Sequence, residues 1–213
     1  MEFLNSKRNT TTDVWEIIKS ELAGTSSVKY EVEARLGRIH SKDTDSRLHL
    51  NSLTPVIFRK LPRKYVFVPG VDKWDIKPMQ KGLESFPMET MQDCFKYLSD
   101  GNRIRYVNNR LIFCEKKRKI KVLDIYFPEM KYDVRISVMT EEKQMGRMSN
   151  SKVNFVRHRD RTSYNDGVFN YDFTVVTNED TVTYEVEIEV DDPNYSIERF
   201  IRRFTELNVQ KRM

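Results

Sequence analysis

Thr181-Val182-Thr183-Tyr184-Glu185-Val186-Glu187-Ile188-Glu189-Val190-Asp191 alternates strictly, with Glu185, Glu187 and Glu189 on one face and Tyr184, Val186, Ile188 and Val190 on the other. That period of two is a β-strand with one charged and one apolar side. Glu31 and Glu33 repeat it near the N-terminus, with Tyr30, Val32 and Ala34 opposite. Same-face neighbours on a strand lie roughly 7 Å apart. At an effective dielectric near 20, each carboxylate pair then repels by about 2 kcal/mol. A solvated strand face screens that repulsion; a cation between the carboxylates removes it. Basic strands favour the second explanation: Arg157, Arg159, Arg161 and Ser163 share one face, Arg103 and Arg105 another, and Lys116 and Arg118 continue the pattern.

Outward from these strands, period-two segments cover about 28–39, 64–69, 102–107, 110–120, 122–127, 131–141, 153–164, 167–177 and 181–191. Short turns such as Asn108-Asn109 and Asn165-Asp166-Gly167 predict a mostly antiparallel sheet closed into a barrel. Helical spacing marks three further stretches. One is capped by Asp13 with Glu16 three residues on and runs to Leu22; one spans about Met88 to Ser99; one follows Pro193-Asn194 with Ile197, Phe200, Ile201, Phe204 and Leu207 as its stripe. Segments 40–62 and 70–87 read as loops, with room for a short strand at Val56-Ile57-Phe58. No linker divides the chain, and 213 residues suit one domain.

Composition excludes whole classes. No apolar run approaches the roughly 20 residues needed to span a bilayer, and MEFLNSKRNTTT has no apolar leader. Two cysteines, Cys94 and Cys114, make no disulfide scaffold and no zinc finger. None of the seven glycines forms a dinucleotide or Walker loop. A cysteine phosphatase needs an arginine six residues after its nucleophile, where this chain has Asp100 and Ile120. Carboxylates for a hard cation and guanidinium forks for phosphate oxygens, on facing strands, point to a polar-lined barrel that holds a metal-bound polyanion. The rival is a non-enzymatic RNA-binding β module with aromatics interleaved among its basic residues; Tyr184, Tyr106 and Phe173 instead lie opposite the charges.

Taken in order, Glu31-Val32-Glu33 with Leu36-Gly37, RHRDRTSY (157–164) and Glu185-Val186-Glu187-Ile188-Glu189 resemble the fungal and protist metal-dependent RNA 5′-triphosphatases of the triphosphate tunnel metalloenzyme superfamily. The resemblance covers about residues 28–191. It implies a closed eight-stranded antiparallel barrel with a hydrophilic lumen and helices packed outside. It also implies removal of the γ-phosphate of nascent RNA before cap addition, together with free nucleoside triphosphate hydrolysis. Glu31, Glu33 and Glu189 match the metal ligands, Mg²⁺ or Mn²⁺, with Glu185 and Glu187 in support. Arg103, Arg159, Arg161 and the tunnel lysine Lys116 match catalytic phosphate contacts; a register shift of one would substitute Lys117. Glu141 resembles the glutamate that positions the attacking water. Arg105, Arg157, Asp172 and Thr174 match substrate-binding positions, whereas Asn170 replaces the arginine of an Arg-x-Asp-x-Thr pattern.

The runner-up within the superfamily is an inorganic tripolyphosphatase or thiamine triphosphatase, which carries ExExK where this chain has Arg35. The resemblance further implies triphosphate RNA and nucleoside triphosphates as substrates and an RNA guanylyltransferase as a candidate partner. A monomer or homodimer in the nucleus is expected, with the cytoplasm or a viral origin as the alternative. Arg202, Arg203, Lys211 and Arg212 read as a solvated basic helix face.

Overall fold

The acidic stretch is strand β10 (Thr181–Val190), and it pairs antiparallel with β1 (Glu31–Ser41), the strand that carries the other acidic pair, Glu33 opposite Glu189. That pairing closes a sheet. The computed structural model describes residues 10–25, 30–144, 151–178 and 181–208. Within them lie α1 (Thr10–Leu22), β2 (Val56–Phe58), β3 (Tyr65–Pro69), α2 (Lys73–Lys81), β4 (Met88–Leu98), β5 (Arg103–Val107), β6 (Arg110–Tyr126), β7 (Asp133–Gln144), β8 (Val153–Asn165), β9 (Phe169–Asn178) and α3 (Ile197–Leu207). The ring runs β1, β7, β6, β5, β4, β8, β9, β10 and back to β1, every pair antiparallel. Eight strands with no free edge form the barrel expected from the sequence. Strand β3 extends the sheet over the far half of β1, and the short β2 pairs with the end of β6.

The β5–β6 hairpin follows the expected turn chemistry. Asn108 and Asn109 both take positive φ, 51° and 60°, between β5 and β6, as a two-residue turn of the twisted type requires. The apolar faces point outward, under the helices: Val32, Ala34, Leu36, Val186 and Ile188 pack with Ile18 and Leu22 of α1 and Phe200 and Phe204 of α3. The barrel therefore inverts the usual plan, with its greasy side outside and its charges inside. Gly37 is needed where β3 crosses β1, because a Cβ there would lie 2.7 Å from Phe67 Cζ and nearer still to the Val68 carbonyl.

Four expectations change. The stretch read as a helix, Met88 to Ser99, is strand β4: Met91, Cys94, Phe95 and Leu98 fit a helical stripe, but pairing with β5 and β8 along the whole length dictates the strand. Helix α2 lies inside the segment read as a loop, concealed by Pro78 in its interior and by having Met79 as its buried residue. Segments 110–120 and 122–127 are one strand, β6, broken in register by a bulge between Lys119 and Lys121. Helix α1 starts at Thr10, before the expected Asp13 cap. Val56–Phe58 is a strand, and α3 follows its Ser196 cap, which accepts from Arg199 N at 3.2 Å.

Asp166, in the turn between β8 and β9, ties α3 to the barrel. Its buried carboxylate accepts from the backbone N–H groups of Val168 and Phe169, from the Tyr171 hydroxyl and from Arg199 at 2.9 Å. Burial opposes ionisation, yet these donors outweigh it and hold the carboxyl below its ordinary range. A depressed carboxylate stabilises fully above the unfolded pKa near 4 and stops doing so as pH falls through the folded value. Asp166→Asn should therefore cost about 2 kcal/mol at pH 7, and the gap from wild type in thermal melts should close as pH drops below 4. A gap independent of pH would contradict this account.

Candidate active site

Alternation along the eight strands delivers the charges to the lumen. A central cavity of about 210 Å³ is bounded by Glu31, Glu33 and Arg35 of β1, Arg103 and Arg105 of β5, Glu115 and Lys117 of β6, Glu141 and Lys143 of β7, Arg157, Arg159 and Arg161 of β8, and Glu185, Glu187 and Glu189 of β10. Nearly every guanidinium meets a carboxylate. Arg159 forks onto Asp93 at 2.7 and 2.6 Å, and Arg105 reaches the same carboxylate at 2.8 Å. Arg157 meets Glu185 at 2.5 Å, Arg103 meets Glu115, and Arg161 holds Asp172 and donates to Thr174 Oγ1 at 3.0 Å. Ser163 steadies Asp172 from its other side at 2.6 Å. Arg35 joins Glu187 at 2.5 Å to Glu33 at 3.2 Å across the closing seam.

One end of the lumen is acidic. Lys117 Nζ lies 2.5 Å from Glu31 and 2.6 Å from Glu141, and Lys143 is 3.1 Å from Glu141. Burial works against the Lys117 ammonium, but these carboxylates hold its pKa above the ordinary value. Burial pushes Glu31 upward, helped by a hydrogen bond with Glu141; that bond and the two lysines overcome burial at Glu141 and draw it down. Glu33 is pushed up by burial. Burial, reinforced by Asp172, Glu187 and Glu33, takes Glu189 up to about 7 against the pull of Lys117. Glu187, by contrast, is held low by Arg35 and Arg161 despite its burial. The three candidate metal ligands are thus the lumen carboxylates that burial pushes upward, and of them Glu189 has no ion pair among the described residues.

As they stand, no three Asp, Glu, His or Cys side chains among the described residues converge enough to grip an ion. The donor set nevertheless suits a hard divalent cation: all three are carboxylates, from adjacent strands, with Glu33 and Glu189 directly opposite.

Every expected site residue faces this lumen except Lys116. Its ammonium reaches the Asp100 carbonyl at 3.4 Å, and Arg118 pairs with Glu142 on the exposed side. Lys117 is the lumen lysine. The bulge at Ile120 explains the shift: counting back from Asp124 in strict alternation puts Lys116 and Arg118 inward, and one extra residue reverses the phase. Sequence reasoning missed Asp93 and Phe95 because they sit in the stretch read as a helix. It missed Glu115 through the same reversal of phase, and Arg35 because it was read only as a departure from a motif. Aromatics are also present inside: Phe95 lies under Arg159 and Arg103 at 4.3 and 4.7 Å. With Arg105 at 5.9 Å as well, three guanidinium groups already surround this ring. Asn170 faces the lumen opposite Glu189 and accepts from Asn165 at 2.7 Å. His158 and Asp160 are exposed, and Lys211 and Arg212 lie outside the described residues. Neither cysteine belongs to the site: Cys114 is packed with Leu98 and Ile104, and burial raises both thiols.

A closed antiparallel barrel whose lumen alternates guanidinium and carboxylate defines the class of triphosphate-tunnel folds. The sequence profile of the family described as mRNA capping enzyme, beta chain, an mRNA triphosphatase family, matches residues 7–110 and 100–211, and the chain belongs to that family. Its function is that of an RNA 5′-triphosphatase in mRNA capping. Among solved structures, the S. pombe Pct1 RNA triphosphatase superposes with a TM-score of 0.71 at 20% identity, over 92% of this chain and 84% of that one. The same protein in complex with the Spt5 CTD gives 0.77 at 19% identity, over 96% and 94%. No curated protein matches the chain in sequence. No helix among the described residues is long and apolar enough to cross a membrane.

Proposed function

We propose that the lumen itself is the hydrolytic site, and that it acts by metal-dependent in-line attack of water on the γ-phosphate of triphosphate-ended RNA. The observation that carries this is the co-location, in one closed lumen, of an arginine cage with three carboxylates on adjacent strands, Glu33 directly opposite Glu189 and Glu31 two residues from Glu33. Glu31, Glu33 and Glu189 would hold Mg²⁺ or Mn²⁺, with Glu185 and Glu187 keeping the adjacent arginines in place. Bound there, the ion withdraws charge from the phosphate oxygens. Arg103, Arg159, Arg161 and Lys117 grip those oxygens as charge develops, with Arg105 and Arg157 along the chain of phosphates and Asp172 and Thr174 fixing Arg161. Glu141, held ionised by Lys117 and Lys143, is placed to accept a hydrogen bond from the attacking water. Nothing in this route requires a covalent cysteine.

On this reading the chain also hydrolyses free nucleoside triphosphates, acts in the nucleus, and hands its diphosphate-ended RNA to an RNA guanylyltransferase. The test is release of labelled γ-phosphate from triphosphate RNA. It should stop in excess chelator and resume on adding Mn²⁺ or Mg²⁺, and Cys94→Ser with Cys114→Ser should keep near-normal turnover. Full activity in chelator, or a folded but dead double serine variant, overturns the reading.

A further inference from the structure

We propose that the tunnel mouth away from Glu141 carries a nucleobase platform, Phe155 backed by Tyr97, on which the first base of the triphosphate-ended substrate stacks. This rests on the hydrolytic reading and adds to it where the nucleoside goes. The lumen-facing positions of β8 run Arg161, Arg159, Arg157 and then Phe155, one every ~7 Å. A ladder of phosphate-binding groups thus ends on an aromatic ring. Tyr97 is the partner of Phe155 across β4 and β8, and the two rings stack with centroids 4.4 Å apart and planes 14° from parallel. Tyr97 lines the central cavity, whereas Phe155 is 51% exposed. An apolar ring so open on a polar barrel, braced from behind by another ring, has the form of a stacking surface.

Charge decides which mouth takes the nucleoside. The Glu141 end opens into a vestibule of about 370 Å³ lined by Glu31, Glu141, Glu189 and Asp191 against one lysine, Lys143. On the proposed ligand set this end holds the ion and the attacking water, which suits the approach of water and the departure of phosphate and leaves the nucleoside to the other mouth. Of its two tyrosines, Tyr195 is wedged edge-on against Phe169 and Phe200, and Tyr30 is partly buried against the same outer core. At the Phe155 end the nearest lumen charge along β8 is Arg157, which shares Glu185, and the exposed Lys152 adds a positive charge just outside the strand.

The test compares a hydrolysis-resistant β,γ-imido adenosine triphosphate with base-free imidotriphosphate, by calorimetric titration of wild type, Phe155→Ala and Phe155→Trp. Alanine should weaken the nucleotide roughly tenfold or more, leave imidotriphosphate unchanged, and be rescued by tryptophan. Equal effects on both ligands, or none on either, overturn the platform. If wild type released no phosphate from RNA, the hydrolytic reading would fail while the base-dependent gap still judged Phe155. Wild type binding neither ligand would overturn both.

Discussion

Glu189→Ala is expected to abolish phosphate release, by on the order of a thousandfold or more, without unfolding the barrel. Deleting a buried carboxylate ordinarily destabilises, because it strands a partner. Glu189 has no ion pair of its own among the described contacts; burial and the neighbouring Asp172, Glu187 and Glu33 push it up to about 7. Taking its charge away relieves repulsion, so the melting temperature without metal should hold or rise as activity disappears. The neutral amide of Glu189→Gln is a poor ligand for a hard ion and should fare little better. The measurement is γ-phosphate release at saturating Mg²⁺ or Mn²⁺ beside thermal melts with and without metal. Wild type should gain stability from the ion and the variants should not. Retained turnover, or a collapse of the fold, would remove Glu189 from the proposed ligand set.

Arg161→Lys should slow hydrolysis about a hundredfold while the protein stays folded and still binds RNA. Arg161 is held by Asp172 and Thr174 on one side and lies 3.5 Å from Glu187 on the other, which fixes the plane of its guanidinium in the lumen. A generic basic surface treats arginine and lysine as near-equivalent neutralisers of phosphate. Gripping two oxygens in a set plane is beyond a lysine point charge, and losing one transition-state contact costs about 3 kcal/mol. Steady-state kcat is read beside RNA affinity at two salt concentrations. Unchanged kcat would place Arg161 outside the reacting shell, and a parallel loss of RNA affinity would favour a binding patch.

Both variants fall on residues whose inward orientation was legible from alternation alone. Glu185 to Glu189 and Arg157 to Arg161 lie on regular strands, where parity of residue number is orientation. Parity fails wherever the strand does. Lys116 was displaced by the bulge at Ile120, a local insertion whose sequence has no turn residue to betray it. Asp93, which clamps two arginines, was hidden because Met91, Cys94, Phe95 and Leu98 fall at helical spacing and divide between the two faces of a strand; pairing partners far along the chain decided for the strand. The ligand set as a unit came from resemblance to a family. That Glu189 alone of the three stands without an ion pair among the described residues follows from three-dimensional pairing: Arg35 goes to Glu33 and Glu187, and Lys117 to Glu31.

Closure of the barrel by β1 against β10 has a consequence in time as well as in space. The carboxylates proposed for the ion come from the first and the last strands of the ring, so a nascent chain has no complete site until β10 is added, however much of the wall has already formed. Such a distant pairing is slow to find, and before it forms, the inner charges of a half-built sheet are all exposed to water. On the proposed ligand set, an ion would enter last, reward the final zippering step and hold the seam shut afterwards as a latch.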